Sequence, residues 1–335
     1  MQYSTFAAID IGSYDVILEI FEISKKQGIR SVDKICHRME LGKDTYTLGK
    51  IRPEMEEELC RVLADFVRIM EGYRVDDYRA TASSAISEAS NSLYVLGKIH
   101  QLTGLSVTVL SNSEQRFLSY KALAAMEDNF NKIIEKGTAI LDLDGGSFQI
   151  SLFDKDALVT TQNIRMGSLR IRERLAGIQS ETEHYEEMVE ELIWNEVSSF
   201  KKMYLKDRKI ENIMLIGDVF TDSVYQNIEE KTTKIISREN FNTWYEKIIR
   251  QSPMELAVKL GIPLENASLM YPSAVIYKCL IDMMGAEHIW IPGVHMTRGI
   301  AYEYAEQMKL LKGGHNFEND ILMAAKNIGK RYAVN

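Results

Sequence analysis

The chain has 335 residues, 45% hydrophobic and 26% charged, a balance that supplies buried cores and excludes collagen-like, mucin-like and largely disordered classes. Forty Lys plus Arg against 48 Asp plus Glu leave a net charge of −8, which argues against wrapping of duplex nucleic acid but allows a local pocket for a small polyanion. No run approaches the ~18 apolar residues of a membrane span, and the opening residues lack a charged and apolar leader, so a cytoplasmic protein without membrane contact is expected. In chain order, Phe6–Ile11 and Val16–Ile23 read as two strands around a Gly-Ser turn. Pro53–Met70 carries Met55, Leu59, Val62, Leu63, Phe66, Ile69 and Met70 at helical spacing, with Pro53 near its start. Asn91–Thr103 predicts a helix, Ser106–Leu110 an extended segment, and another helix begins near Ser113. Ala139–Leu143 and Ser147–Phe153 are extended, and the region from Glu181 to Leu205 is a long helix with an acidic start. Ile213–Ile216 is extended, Met254–Leu260 and Ser273–Met284 are helical, and Ile289–Ile291 is a short strand. Arg298–Leu311 is a helix, and the tail from Asn316 adds one more. Strands alternating with helices predict an α/β fold.

One internal echo organises these elements. Phe6-Ala-Ala-Ile-Asp-Ile-Gly-Ser-Tyr-Asp-Val-Ile-Leu-Glu-Ile-Phe21 resembles Ala139-Ile-Leu-Asp-Leu-Asp-Gly-Gly-Ser-Phe-Gln-Ile-Ser-Leu-Phe153. Each has an apolar strand, an Asp at its end, a turn of small residues and a second alternating strand. Two unrelated hairpins would not repeat all of these together, so the repeat predicts two similar domains. The expected division is 1–125, 126–305 and a helical tail at 306–335.

Turns of this composition suit phosphate. Small residues let backbone N–H groups approach phosphate oxygens, and successive N–H groups form an anion-binding concavity. Gly12, Ser13, Gly145, Gly146 and Ser147 are therefore candidate phosphate contacts, with the two serines adding hydroxyls. Asp10 and Asp142, at the strand ends, can hold Mg²⁺ or another divalent cation directly or through water, and Asp144 can join Asp142 on the ion. Gly42–Ile51 has the wrong spacing for a P-loop, and no G-x-G-x-x-G follows a strand. The six histidines are dispersed, and the three cysteines, Cys36, Cys60 and Cys279, form no CxxC or Cys/His cluster, which predicts reduced thiols.

The motifs together resemble the exopolyphosphatase/guanosine pentaphosphate phosphohydrolase family of the actin–Hsp70–sugar kinase superfamily, over about Phe6 to Glu303. The family's Asp-Ile-Gly-Ser-Asn-Ser is similar to Asp10-Ile11-Gly12-Ser13-Tyr14-Asp15, with Tyr14 and Asp15 as departures. Ala82-Ser83-Ser84-Ala85-Ile86-Ser87-Glu88-Ala89-Ser90-Asn91 resembles Ala-Thr-Ser-Ala-Leu-Arg-Glu-Ala-x-Asn, with Ser87 where the family has a phosphate-binding Arg. Ser111-Asn112-Ser113-Glu114-Gln115-Arg116-Phe117 resembles Ser-Gly-x-Glu-Glu-Ala-Arg, and Asp142-Leu143-Asp144-Gly145-Gly146-Ser147 resembles Asp-Ile-Gly-Gly-Gly-Ser. Met166-Gly167-Ser168 matches a Met-Gly turn; Gly217–Thr221, Pro272-Ser273 (a Pro-Gly before a helix in the family) and Thr297-Arg298-Gly299 are weaker echoes. The resemblance implies two RNase-H-like domains around an interdomain cleft and phosphate contacts at Ser83 and Ser87. It also implies an ancestral Mg²⁺-dependent hydrolysis of a terminal phosphoanhydride of polyphosphate or guanosine pentaphosphate. Polyphosphate or a phosphorylated nucleotide is then the expected partner, with a homodimer as an allowed assembly.

The reactive positions depart from that pattern. In the family one Glu of the pair is the base for the attacking water, and the second falls on Gln115, whose amide cannot accept a proton, so catalysis worth ~10²–10⁴-fold should be missing. A one-residue slip would restore Glu114 as the base. The sequence leaves three readings open: a phosphatase using Glu114, a degenerate member that binds a phosphorylated ligand or a protein partner without turnover, and an ATP-dependent kinase of the same superfamily.

Overall fold

In the computed structural model the described residues are 3–126, 130–155, 157–176, 185–205, 208–217, 219–227, 235–311 and the single positions 322, 325, 326 and 329. In chain order the first elements are β1 (Ser4–Ile11), β2 (Asp15–Ser24), β3 (Gly28–Arg38), α1 (Leu41–Leu48), α2 (Pro53–Gly72), β4 (Asp77–Ala82), α3 (Ser84–Ser87), α4 (Ser92–Thr103), β5 (Val107–Val109) and α5 (Asn112–Met126). There follow α6 (Phe130–Ile134), β6 (Thr138–Leu143), β7 (Phe148–Asp154), β8 (Ala157–Ile164), α7 (Ser168–Leu175), α8 (Tyr185–Phe200), β9 (Asn212–Ile216) and α9 (Val219–Asn227). The chain continues with β10 (Ile235–Ser237), α10 (Arg238–Ile249), α11 (Pro253–Leu260), α12 (Leu264–Met284), β11 (His288–Trp290) and α13 (Met296–Gln307).

Two compact units contain these elements: Met1–Ala125 with His295–Gly314, and Met126–Val294 with His315–Asn335. Residues 295–305, expected in the second domain, thus fall in the first. The cause is packing: Ile300, Ala301, Tyr304 and Ala305 of α13 share a core with Phe6, Ala8, Phe21, Ile23 and Leu118. Apart from the helical positions 322, 325, 326 and 329, the tail helix expected from Asn316 lies outside the described residues, as does the start of the helix expected from Glu181.

The internal echo becomes a shared topology. The first unit has strand order β3-β2-β1-β4-β5 and the second β10-β11-β9-β6-β7-β8. In each, an antiparallel three-strand meander joins parallel strands through its first member: β1 with β4 and β6 with β9. The fold is α/β with two RNase-H-like sheets. In the first unit, period-two alternation sends Ala7, Ile9 and Ile11 of β1 into the core shared with α2 and α4, and Phe6 and Ala8 into the core under α13. Both faces are covered, which is why β1 reads as an apolar run with Asp10 at its carboxyl end.

Two expectations need correction. Pro272 does not precede a helix; it lies inside α12, which begins at Leu264. The edge strands β3 and β8 were not expected as strands, nor was the helix α1 that covers Leu41–Leu48.

Candidate functional site

The first turn is tied down by its own backbone. Gly12 N–H donates to Asp15 O (2.9 Å), and the carbonyls of Ser13 and Tyr14 accept from Gly42 N (2.7 Å) and Met39 N (3.1 Å). Gly12 is required by space, since a Cβ there would lie 2.9 Å from Asp15 Oδ1 and 3.1 Å from Asp15 O. Ser13 is buried, and its hydroxyl meets Tyr46 Oη at 2.7 Å and Ser84 Oγ at 3.5 Å, while Tyr46 Oη and Ser84 Oγ are 2.8 Å apart. Asp10 is half-buried at the end of β1, with Thr81 Oγ1 donating at 3.5 Å from the adjoining β4.

Of the second motif's serines, Ser84 joins Ser13, whereas Ser83 Oγ turns to Ile11 O at 3.5 Å. Ser87 is exposed at the end of α3, its N–H donating to Ser83 O. Asn91 is structural, because its amide bridges Ile51 N, Ile51 O and the buried Glu56.

In the second unit the turn Asp144–Ser147 lies against the start of α7. Asp144 O accepts from Ser168 N (3.1 Å), Gly145 O from Arg170 N (2.9 Å) and Gly146 O from Arg170 Nε (2.9 Å). A trans peptide sets each N–H opposite the carbonyl it is bonded to. With three successive carbonyls drawn to α7, the N–H groups of Gly145, Gly146 and Ser147 point the other way, a row of donors suited to an anion. Gly167 permits this approach, because a Cβ there would lie 2.2 Å from Asp144 O. Asp144 itself stays out of the left-handed region: the positive-φ non-glycine residues described are Arg74, Lys155 and Lys309.

The two candidate bases are both committed elsewhere. Ser111 N and Oγ each donate to Glu114 Oε2 at 2.7 Å, and Glu114 N donates to Ser111 Oγ at 3.3 Å, a reciprocal cap on α5. Those bonds hold the Glu114 carboxyl below its ordinary range, the backbone N–H contributing most. Glu114 borders a cavity of about 460 Å³ shared with Arg79, Thr81, Thr108 and Glu303. Gln115 is buried, and its Nε2 donates to Leu110 O at 3.4 Å.

Among the described residues no group of three or more His, Cys, Asp or Glu side chains converges to hold a metal. A hard cation such as Mg²⁺ needs only one or two carboxylates when phosphate and water complete its shell. Asp142 fits that pattern. It is half-buried at the end of β6, and a Cβ on Gly217 (φ +110°) would lie 2.8 Å from its Oδ1, so glycine keeps the space beside the carboxylate open.

Residue reading overlooked Tyr46, Ser84 and Gln149. Gln149 pairs across the sheet with both Asp142 and Asn163; it is buried, and neither its Oε1 nor Asn163 Oδ1 has a hydrogen-bond partner among the described residues. Its signal was available, as a polar residue inside the apolar run Phe148–Phe153.

Known proteins resemble this chain in sequence or in fold. A curated bifunctional 3-dehydroquinate synthase/phosphatase of Fusobacterium nucleatum is 21% identical over 310 residues, 84% of this chain and 44% of that protein. Exopolyphosphatase 1 of Mycobacterium leprae is 25% identical over 144 residues, 43% of this chain and 41% of that protein. The chain thus spans less than half the length of these curated relatives. Among solved structures, an exopolyphosphatase from Cytophaga hutchinsonii superposes with TM-score 0.81 at 17% identity, covering 91% of this chain and 98% of that one. The Aquifex aeolicus Ppx/GppA family member gives TM-score 0.72 at 18% identity, covering 92% and 99%. The solved structures agree in fold, and the model of the Ppx/GppA phosphatase family matches residues 19–308, most of the chain, which places the chain in the Ppx/GppA phosphatase family.

Proposed function

We propose that this protein binds a phosphoanhydride chain, of the kind found in polyphosphate or a phosphorylated nucleotide such as guanosine pentaphosphate, and hydrolyses it weakly if at all. The observation that carries the binding half is the set of carbonyls at Asp144, Gly145 and Gly146 taken up by α7, which turns the N–H groups of Gly145, Gly146 and Ser147 away from that helix. In this reading Gly12 and Ser13 form the corresponding turn of the first unit, with Ser83 held behind it and Ser87 at its margin. In the second unit Asp142, with Asp144 as a further carboxylate of the same turn, would hold Mg²⁺ or a similar ion, Asp10 being the matching carboxylate of the first unit, and the ion would supply charge neutralisation for bound phosphate.

Weak turnover follows from the base positions. An amide at Gln115 takes no proton, and Glu114 already accepts two hydrogen bonds that lower its basicity. General-base assistance worth about 10²–10⁴-fold is thereby forgone.

Calorimetry with tripolyphosphate and Mg²⁺, paired with phosphate release, tests both halves. Binding with slow release is expected, release should rise at least about tenfold in Gln115→Glu, and Glu114→Gln should leave it unchanged. Rapid release by the unaltered protein that disappears in Glu114→Gln would reverse the reading to an active phosphatase with Glu114 as its base.

A further inference from the structure

The first turn holds an ion pair that the phosphate-binding reading does not use. Asp15, the turn's last residue and the first of β2, stands opposite Arg38, the last residue of β3. Arg38 Nη1 donates to Asp15 Oδ2 at 2.8 Å, and the guanidinium carbon lies 5.8 Å from the centre of the Tyr14 ring. The other carboxylate oxygen, Oδ1, sits where a Cβ on Gly12 would come within 2.9 Å. A single carboxylate therefore links a guanidinium to the glycine that shapes the turn.

The two partners differ in exposure. The Asp15 side chain is 13% exposed, and that of Arg38 is 35% exposed. A guanidinium carries five N–H donors, and among the described residues Nη1 is the one engaged in a hydrogen bond. The buried Tyr14 ring adds a cation–π contact that uses none of the guanidinium's donors. Arg38 is thus held at the edge of the first turn, partly accessible and with donors to spare.

The geometry points to Arg38 as an anion-binding residue of the first turn, with Asp15 as the internal counter-anion that a phosphate must share it with or displace. The ligand class is an inorganic or nucleotide phosphoanhydride, and the inference rests on the phosphate-binding reading of that turn. Burial pushes the Asp15 carboxyl up, and Arg38 opposes this most; Cys36 Sγ donates to Oδ2 at 3.6 Å, and His295 at the start of α13 and Lys34 on β3 add weaker attraction. None of these reaches as close as Arg38, so removing the Asp15 charge releases chiefly the guanidinium.

Binding of tripolyphosphate, with inorganic phosphate as a second probe, is measured by calorimetry on the full chain at fixed pH and ionic strength. Arg38→Gln should weaken tripolyphosphate about tenfold or more, the worth of one charge-assisted hydrogen bond. Arg38→Lys should recover part of that loss, keeping the charge without the planar fork. Asp15→Asn should tighten binding about tenfold by freeing the Arg38 guanidinium from its internal partner. The gain should vanish in the Asp15→Asn/Arg38→Gln double variant, a coupling that general destabilisation does not mimic. Thermal melts of each variant confirm folding, and Arg38→Lys is read where Arg38→Gln does not fold. Tripolyphosphate affinity unchanged in Arg38→Gln, or weakened in Asp15→Asn, overturns the inference while leaving the phosphate-binding reading intact. Absence of any phosphate binding by the unaltered protein overturns both.

Discussion

A Cβ on Gly167 would lie 2.2 Å from Asp144 O and 2.4 Å from Gly145 C and O, all of them backbone atoms that cannot swing aside. Gly167→Ala must therefore push the start of α7 off the turn, an overpacking cost of about 1–3 kcal/mol. The three carbonyls that α7 holds would be released with it, and the donor row would lose its direction. Gly104 is a useful control: it has φ +73° at the end of α4 and nothing within 4 Å of an added Cβ, so Gly104→Ala pays only left-handed strain, about 1 kcal/mol. Urea unfolding with tripolyphosphate calorimetry separates the two. Gly167→Ala should lose both stability and affinity, Gly104→Ala stability alone; equal affinities would sink the account of the turn. At this scale the two tight turns after the strand-end Asp were legible, because a turn is written in consecutive residues. Tyr46 and Ser84 were not, since they reach Ser13 from 33 and 71 residues away, a proximity that only the fold creates.

Helix α5 begins on the reciprocal Ser111–Glu114 cap, and α11 uses the same device at Ser252 and Glu255. Each Glu carboxyl is held below its ordinary range by the Ser N–H and hydroxyl. The sign follows directly: a lowered folded-state pKa adds stability above the unfolded carboxylate pKa and forfeits it as pH falls through the lowered folded value. Ser111→Ala should cost about 1 kcal/mol at pH 7, and the gap from the unaltered protein should narrow as urea unfolding is repeated toward pH 3. A gap that widens on acidification would remove Glu114 from the cap and return it to the candidate bases. The cap was hidden in the sequence because the same Glu114 sat in a motif read for catalysis. Edge strands were hidden for another reason. β3 has a half-exposed, charged alternation with little apolar signal, and its pairing with β2 decides its conformation. Pro272 shows the opposite failure. A proline in a helix interior costs about 3 kcal/mol, yet α12 continues through it, since Leu269, Met270, Ala274, Val275, Ile276 and Tyr277 are all buried around it.

At the scale of the molecule, the duplication was the most legible feature and the path of the chain the least. The same meander and parallel partner recur because both halves carry the same alternation, but α13 belongs to the unit formed some 170 residues earlier. Its amphipathic face is the lid of the first core: the Tyr304 ring stacks on Phe6 at 4.1 Å, and Ile300, Ala301 and Ala305 join Phe21, Ile23 and Leu118. Polar ties reinforce it, with Thr297 donating to the buried Glu19, Arg79 Nη1 to Glu303 at 2.7 Å, and Lys121 Nζ to Glu306 at 2.6 Å. Residues 1–125 alone would uncover Phe6, Phe21, Ile23 and Leu118, at about 1.5–3 kcal/mol for each large apolar side chain. That sum rivals the whole stability of an ordinary domain, about 5–15 kcal/mol. Glu19, 6% exposed, would also lose the Thr297 hydroxyl. The fragment 1–125 should accordingly keep far-ultraviolet dichroism, lose near-ultraviolet dichroism and bind a hydrophobic dye. Joining residues 295–311 to it through a flexible linker of about 20 residues should restore the near-ultraviolet signal and a cooperative unfolding transition. Cooperative unfolding of 1–125 without the added helix would mean that the first sheet closes its own core, and that α13 is held there rather than needed there.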